Sequence, residues 1–183
     1  MMYKKTLLCA ALAFTTISTL PVYAHSVGVT AENAVADTVI TTKIKALYVK
    51  SPLANASKIK VTSINQNVVL SGHLKTNSQY ERAITLADSV QGVKAINADN
   101  LLVKTSDAPL TDAYTTAKVK GKFLKEKLFG SKAIEYWPVK VETKDSVVYL
   151  TGKVKTAQER SNIVHLAKNV TGVKSVKSAV IIQ

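Results

Sequence analysis

The hydrophobic and polar positions of the chain run through one order twice. From Asp37, apolar residues recur at Ile40, Ile44, Leu47 and Tyr48, spacings that place them on one face of a helix. Asp37 is placed to cap that helix. Ser51-Pro52 ends it, because the residue before a proline is pushed out of the helical region. Ile59 to Ile64 then alternates as a strand, Asn65-Gln66-Asn67 reads as a turn, and Val68 to Leu74 returns as a second strand, so the pattern predicts a hairpin. Thr76 and Gln79 fit a capping box for a second helix, whose inward face is Tyr80, Ala83, Ile84, Ala87 and Val90. Gly92 is placed to stop this helix in a left-handed conformation. Val93 to Val103 is the third strand.

The second half repeats the series. Asp112 predicts the cap of a helix from Ala113 to Leu128, Val139 to Thr143 the first strand, Lys144-Asp145 the turn and Val147 to Val154 the second strand. Thr156 with Glu159 is again a capping box; Ile163, Val164, Ala167 and Val170 face inward; Gly172 stops the helix; Val173 to Ile182 closes the series. The wording itself is shared. Val68-Val69-Leu70-Ser71-Gly72 matches Val148-Tyr149-Leu150-Thr151-Gly152, and Val90-Gln91-Gly92-Val93 matches Val170-Thr171-Gly172-Val173 at the same distance downstream. The chain is therefore two copies of one α-β-β-α-β module, residues 36–104 and 112–183, joined by a linker over 105–111. The expected class is α+β, each module having a three-stranded mixed sheet packed on two helices. Gly72 and Gly152 are expected where a bulge or a close backbone approach excludes a side chain. A module of about 70 residues is near the lower limit for an unaided core, so contact between copies is expected to contribute stability.

Residues 1–24 stand apart from this pattern. Lys4 and Lys5 precede an uncharged apolar run, and Val22-Tyr23-Ala24 offers small residues where a signal peptidase reads, so a secretory signal cleaved after Ala24 is expected. The run is far short of the roughly 20 residues of a spanning helix. Lipid attachment at Cys9 is disfavoured, because Leu8 stands where a small residue is needed. Cleavage removes the single cysteine, leaving no disulfide.

Charge sharpens the picture. Residues 36–104 carry 9 basic and 4 acidic groups, and residues 112–183 carry 14 and 6, so the second module is the more cationic. Such a surface attracts anionic polymers or lipid headgroups. Export argues against nucleic acid and leaves phospholipid, lipopolysaccharide, peptidoglycan and acidic proteins. No catalytic constellation is present: His25, His73 and His165 are scattered without metal-ligand spacing, no nucleophile sits in a recognisable elbow, and no cofactor is implied.

The copies differ most in their first helix. With Ile44 opposite Val119, Thr115 replaces Ile40 and Lys122 replaces Leu47, so the core stripe shrinks to Val119 and Phe123. A second apolar arc appears from Ala113, Tyr114, Ala117, Leu124 and Leu128, with Lys118, Lys122 and Lys125 along one side and Lys120 and Lys127 along the other. One reading lays this helix on an anionic membrane, lysines at the headgroups and Tyr114, Leu124 and Leu128 in the interface, with Trp137 of the following insertion as an interfacial aromatic. The other packs the arc on the first module and leaves the lysines as a solvated rim.

The doubled V-x-L-[ST]-G-x-[VL] strand, with V-x-G-V-x-x-[VI] following each copy, resembles the BON domain. The resemblance covers both modules. It implies a non-enzymatic periplasmic protein that associates with phospholipid membranes and supports envelope integrity; chaperone activity toward unfolded clients or binding of envelope proteins is the implied alternative. Some relatives with two such domains are outer-membrane lipoproteins, a pattern from which Leu8-Cys9 departs.

Overall fold

In the computed structural model, residues 31–51, 58–104, 110–129 and 139–183 are described. The first module comprises α1 (Ala31–Lys50), β1 (Ile59–Ile64), β2 (Asn67–Leu74), α2 (Asn77–Asp88) and β3 (Ala95–Val103); the second comprises α3 (Leu110–Phe129), β4 (Lys140–Lys144), β5 (Val147–Val154), α4 (Ala157–Lys168) and β6 (Ser175–Ile182). Each sheet keeps its strands in chain order. The hairpin pairs antiparallel, and the last strand joins parallel to the middle one after a helical crossover. This is the expected α+β arrangement with mixed sheets. A parallel neighbour requires a crossover, which is why a helix separates β2 from β3 and β5 from β6.

The inward residues read from the pattern form the cores. Ile40, Ile44, Tyr48, Tyr80, Ala83, Ile84, Ala87 and Val90 are buried with the alternate residues of β1 and β2, and the Tyr48 hydroxyl donates to the Ala83 carbonyl at 2.9 Å. Val119, Phe123, Ile163, Ala167 and Val170 fill the same places in the second module, while Val164 is only half-buried.

The capping boxes form unequally. Thr156 accepts from the Glu159 amide while the Glu159 carboxylate reaches back to the Thr156 amide. Thr76 accepts from the Gln79 amide, but the Gln79 side chain is given to the Lys75 amide instead.

Neither aspartate read as a cap is one. α1 begins at Ala31 and α3 at Leu110, upstream of Asp37 and Asp112. Both carboxylates reach across to the hairpin turn. Asp37 accepts from the Asn65 and Gln66 amides at 2.8 and 2.7 Å and from the Ser63 hydroxyl; Asp112 accepts from the Asp145 and Ser146 amides at 2.8 and 3.0 Å. These four turn residues all have positive φ, the backbone of a two-residue turn matched to strand twist, and a carboxylate is what holds their amides. Burial raises the Asp37 carboxyl, but its hydrogen bonds with Ser63, Gln66 and Asn65, together with the charge of Lys94, outweigh burial and hold it below the usual carboxylate value.

The shared glycines have separate reasons. Gly72 sits within β2 at φ +134°, and a Cβ there would lie 2.3 Å from the Lys58 carbonyl oxygen, so the close backbone approach is met. Gly92 and Gly172 do take positive φ, but not as helix stops: α2 ends at Asp88 with Ser89 as C-cap and α4 at Lys168 with Asn169, leaving the glycines in the turn that follows.

Candidate functional site

α3 belongs to both modules. Its Val119 and Phe123 face the second core, whereas Ala117 is part of the first, and Leu110, Ala113 and Tyr114 pack against that first core. The helix runs alongside α2 in the same direction. The Thr85 hydroxyl donates to the Ala117 carbonyl at 3.2 Å, and one turn on, Gly121 lies against Asp88. Beyond the end of α2, the Lys125 ammonium donates to the Val93 carbonyl at 3.1 Å. Ala113, Ala117 and Gly121 form a line of small residues, which lets the two backbones approach closely. A Cβ on Gly121 would stand 2.7 Å from the Asp88 Cβ and 2.8 Å from its Oδ2.

The sequence-derived residues therefore separate. Tyr114 is half-buried on the first module, its hydroxyl donating to the Ile96 carbonyl at the edge of β3, with the Lys118 ammonium 5.7 Å from its ring centre. Lys120 pairs with Glu81 at 2.8 Å. Lys125 is committed to Val93; burial lowers its ammonium below the usual lysine value, Asp88 pulls it back and Lys122 lowers it again. Lys122 and Leu124 are half-buried, and Lys127 and Leu128 are exposed, Leu128 by 56%. Trp137 lies outside the described residues. The arc containing Ala113, Tyr114 and Ala117 is thus the seat on the first module, which corrects the arrangement that would sink Tyr114 into lipid. A small module gains more from covering its own apolar flank than from leaving it open.

Asp88 is the group that periodicity does not reveal. It is 3% exposed, and among the described residues no hydrogen-bond donor reaches its Oδ2. Burial pushes its carboxyl up, while the charges of Lys122, Lys118 and Lys125 pull it back; the net direction is up. A carboxyl raised on folding contributes stability below its ordinary value near 3.8 and loses that contribution as pH rises through the folded value. Asp88→Asn is therefore expected to gain on the parent as pH rises from about 4 to about 7, measured as the difference in urea midpoint at each pH. A parent that instead gains on the variant would show that the lysines outweigh burial. The one signal of this contact in the sequence is Gly121 itself: a glycine inside a helix costs about 1 kcal/mol relative to alanine, so its presence marks a close approach.

A cleft of about 780 Å³ opens between the start of α2, α3 and the β4–β5 hairpin, with Glu81, Lys120, Thr116, Glu142 and Tyr149 on its walls. It collects two ion pairs, Lys120–Glu81 and Lys140–Glu142, and hydroxyls, but no paired acid and base set on a common point. Among the described residues, no group of His, Cys, Asp and Glu is placed to hold a metal ion, and no helix is long and apolar enough to cross a membrane.

The model of the BON domain family matches residues 36–105 and again 111–183. The osmotically-inducible protein Y of Escherichia coli (strain K12) is 34% identical over 151 residues, covering 80% of this chain and 72% of that protein. Two solved structures of CdsD, a structural protein of the type III secretion system of Chlamydia trachomatis, align over 80% of this chain and 67% and 63% of theirs, at 18% and 17% identity and TM-scores of 0.31 and 0.33. With two helix-hairpin-helix-strand modules matched over nearly all the described residues, the chain belongs to the BON domain family.

Proposed function

We propose that this is an exported, non-enzymatic periplasmic protein that binds anionic phospholipid surfaces through the projecting end of α3 and so supports the envelope under osmotic stress. The observation that carries the reading is the overshoot of α3. Leu124 and Leu128 continue the line of Ala117 and Gly121 past the end of α2, and Leu128 emerges beside the exposed Lys127. Lys118 and Lys122 flank that line, and Trp137 follows in the chain. Tyr114, Lys120 and Lys125 hold the helix on the first module, so the tip is presented on a rigid support. Each lysine near an anionic surface contributes on the order of 1 kcal/mol, and one inserted leucine adds about 2 kcal/mol when fully buried. The relative's name ties that protein to osmotic induction, which supports the setting.

Co-sedimentation with vesicles tests it. Binding to anionic phospholipid is expected to exceed binding to neutral phospholipid, and the double variant Lys127→Glu, Leu128→Asp is expected to bind anionic vesicles about tenfold or more weakly with its unfolding midpoint unchanged. Equal binding to both lipids, or full binding by the double variant, would sink the proposal.

One observation favours a second reading, a protein-interaction or chaperone module. Val35, Val39 and Val49 stand on one face of α1 and are 65%, 45% and 80% exposed. Suppression of client aggregation without vesicles, lost on Val39→Ser with Val49→Ser, would favour it.

A further inference from the structure

The duplication lays the same seat out twice, and among the described residues one of the two is open. In the first module α3 rests on Tyr80, Glu81, Ile84, Thr85 and Asp88 of α2 and on Ile96, Ala98 and Leu101 of β3, and apart from the half-buried Glu81 and Thr85 these are buried. The corresponding surface of the second module is a groove of about 480 Å³ between α4 and β6. Its floor is Val164, half-buried, and Val180; its rim is Arg160, Ser161, His165 and Lys168, all exposed.

The rim has changed sign as well as cover. The place of Glu81, which pairs with Lys120, is Ser161; that of Asp88, ringed by Lys118, Lys122 and Lys125, is Lys168; that of Tyr80 is Arg160. A lysine-flanked helix suits the first seat and is repelled by the second. This also excludes a second copy of the chain. The face of α1 equivalent to the docking face of α3 carries Val35, Val39, Thr42, Ala46 and Val49, but it is flanked by Lys43, Lys45 and Lys50, so head-to-tail stacking would set lysine against lysine and arginine.

We infer that the α4–β6 groove is a docking site for an amphipathic helix of another protein, one with small residues along its contact line and acidic residues on its flanks. Apolar contact on Val164 and Val180 supplies area, and Arg160 and Lys168 select the acidic flanks. The α2–α3 contact is the template for the geometry, and the reversed rim defines the partner's charge.

The test uses the full mature chain and a fluorescent peptide of residues 110–129, stapled between positions 115 and 119 so that the staple lies off the contact line. In one version Lys118→Glu, Lys120→Glu, Lys122→Glu and Lys125→Glu are made; the other keeps the lysines. By fluorescence anisotropy the acidic peptide is expected to bind roughly tenfold or more tightly than the basic one, and Lys168→Asp in the receptor to shrink or reverse that preference. Because Lys168 is exposed, this variant folds as the parent does, which circular dichroism checks. Equal binding of the two peptides, binding of neither, or indifference to Lys168→Asp would overturn the inference. So would self-association of the chain in sedimentation, or protection of α4 amides from hydrogen exchange by anionic vesicles instead of by the acidic peptide; these would assign the groove to a second copy or to lipid.

Discussion

Replacing Gly121 by valine is expected to unseat α3 from α2 and to destabilise the chain by about 3 kcal/mol, seen as a lowered urea midpoint and a split of one unfolding transition into two. The side chain has no room. Even a Cβ would stand 2.7 Å from the Asp88 Cβ, and Asp88 is anchored on a helix whose other face is the first core. α3 cannot simply retreat, since Phe123 and Val119 fix it to the second core. The strain therefore falls on the contact between modules: the Thr85–Ala117 hydrogen bond, the Tyr114 hydroxyl on Ile96 and the Lys120–Glu81 pair are lost together. Ala46 is the matching position on α1 and is exposed. Ala46→Val is expected to change stability by less than about 0.5 kcal/mol. Helix propensity favours valine over glycine and so cannot account for a loss at Gly121; equal costs at the two positions would show that the α2–α3 contact accommodates the side chain without strain.

Gly72→Ala is expected to cost about 3 kcal/mol, measured by thermal or urea unfolding. Two effects add. At φ +134° a side chain is strained whatever the space, and here its Cβ would meet the Lys58 carbonyl at 2.3 Å. That oxygen belongs to backbone, so it cannot swing aside as a flexible side chain would. The relief would have to come from parting β1 from β2, whose pairing of Ile59 with Gly72 brings Ile59 into the core. Gly152, at φ +139° in β5, holds the same backbone in the second module. A loss below about 1 kcal/mol at Gly72 would mean that the strand edge yields more readily than its register suggests.

What could be read from the residues divides along the range of the forces involved. The strand Ile59–Ile64, the return strand Val147–Val154 and the Thr156–Glu159 capping box are set by neighbours a few positions apart, and the pattern showed them. The cores followed, because periodicity states which face is apolar. The start of α1 was not legible: residues 31–36 carry no apolar stripe, and Val35 is exposed. Asp37 and Asp112 looked like caps because an aspartate before an apolar run normally is one; their use as clasps on a distant turn depends on a fold that brings residues 26 to 34 positions away to the same place. The same holds at the candidate site. Apolar and basic faces of α3 were visible, but which face meets the first module was decided by Gly121, Ala117 and Asp88, and small residues leave little trace in a hydrophobic pattern.

The repeat thus supplies two seats and two first helices, and the copies are used differently. Among the described residues the first seat is filled by α3, the second is open with its charge reversed, and the end of α3 extends past its support with Lys127 and Leu128 exposed. The most direct test of the functional claim is residue-resolved: titrate an isotope-labelled chain of residues 25–183 with nanodiscs of anionic phospholipid and follow the backbone amides by NMR. Broadening confined to the end of α3, from Lys122 to Phe129, and absent with neutral nanodiscs is the predicted result. Broadening centred on α1 or α4, or the same response to neutral lipid, would contradict it.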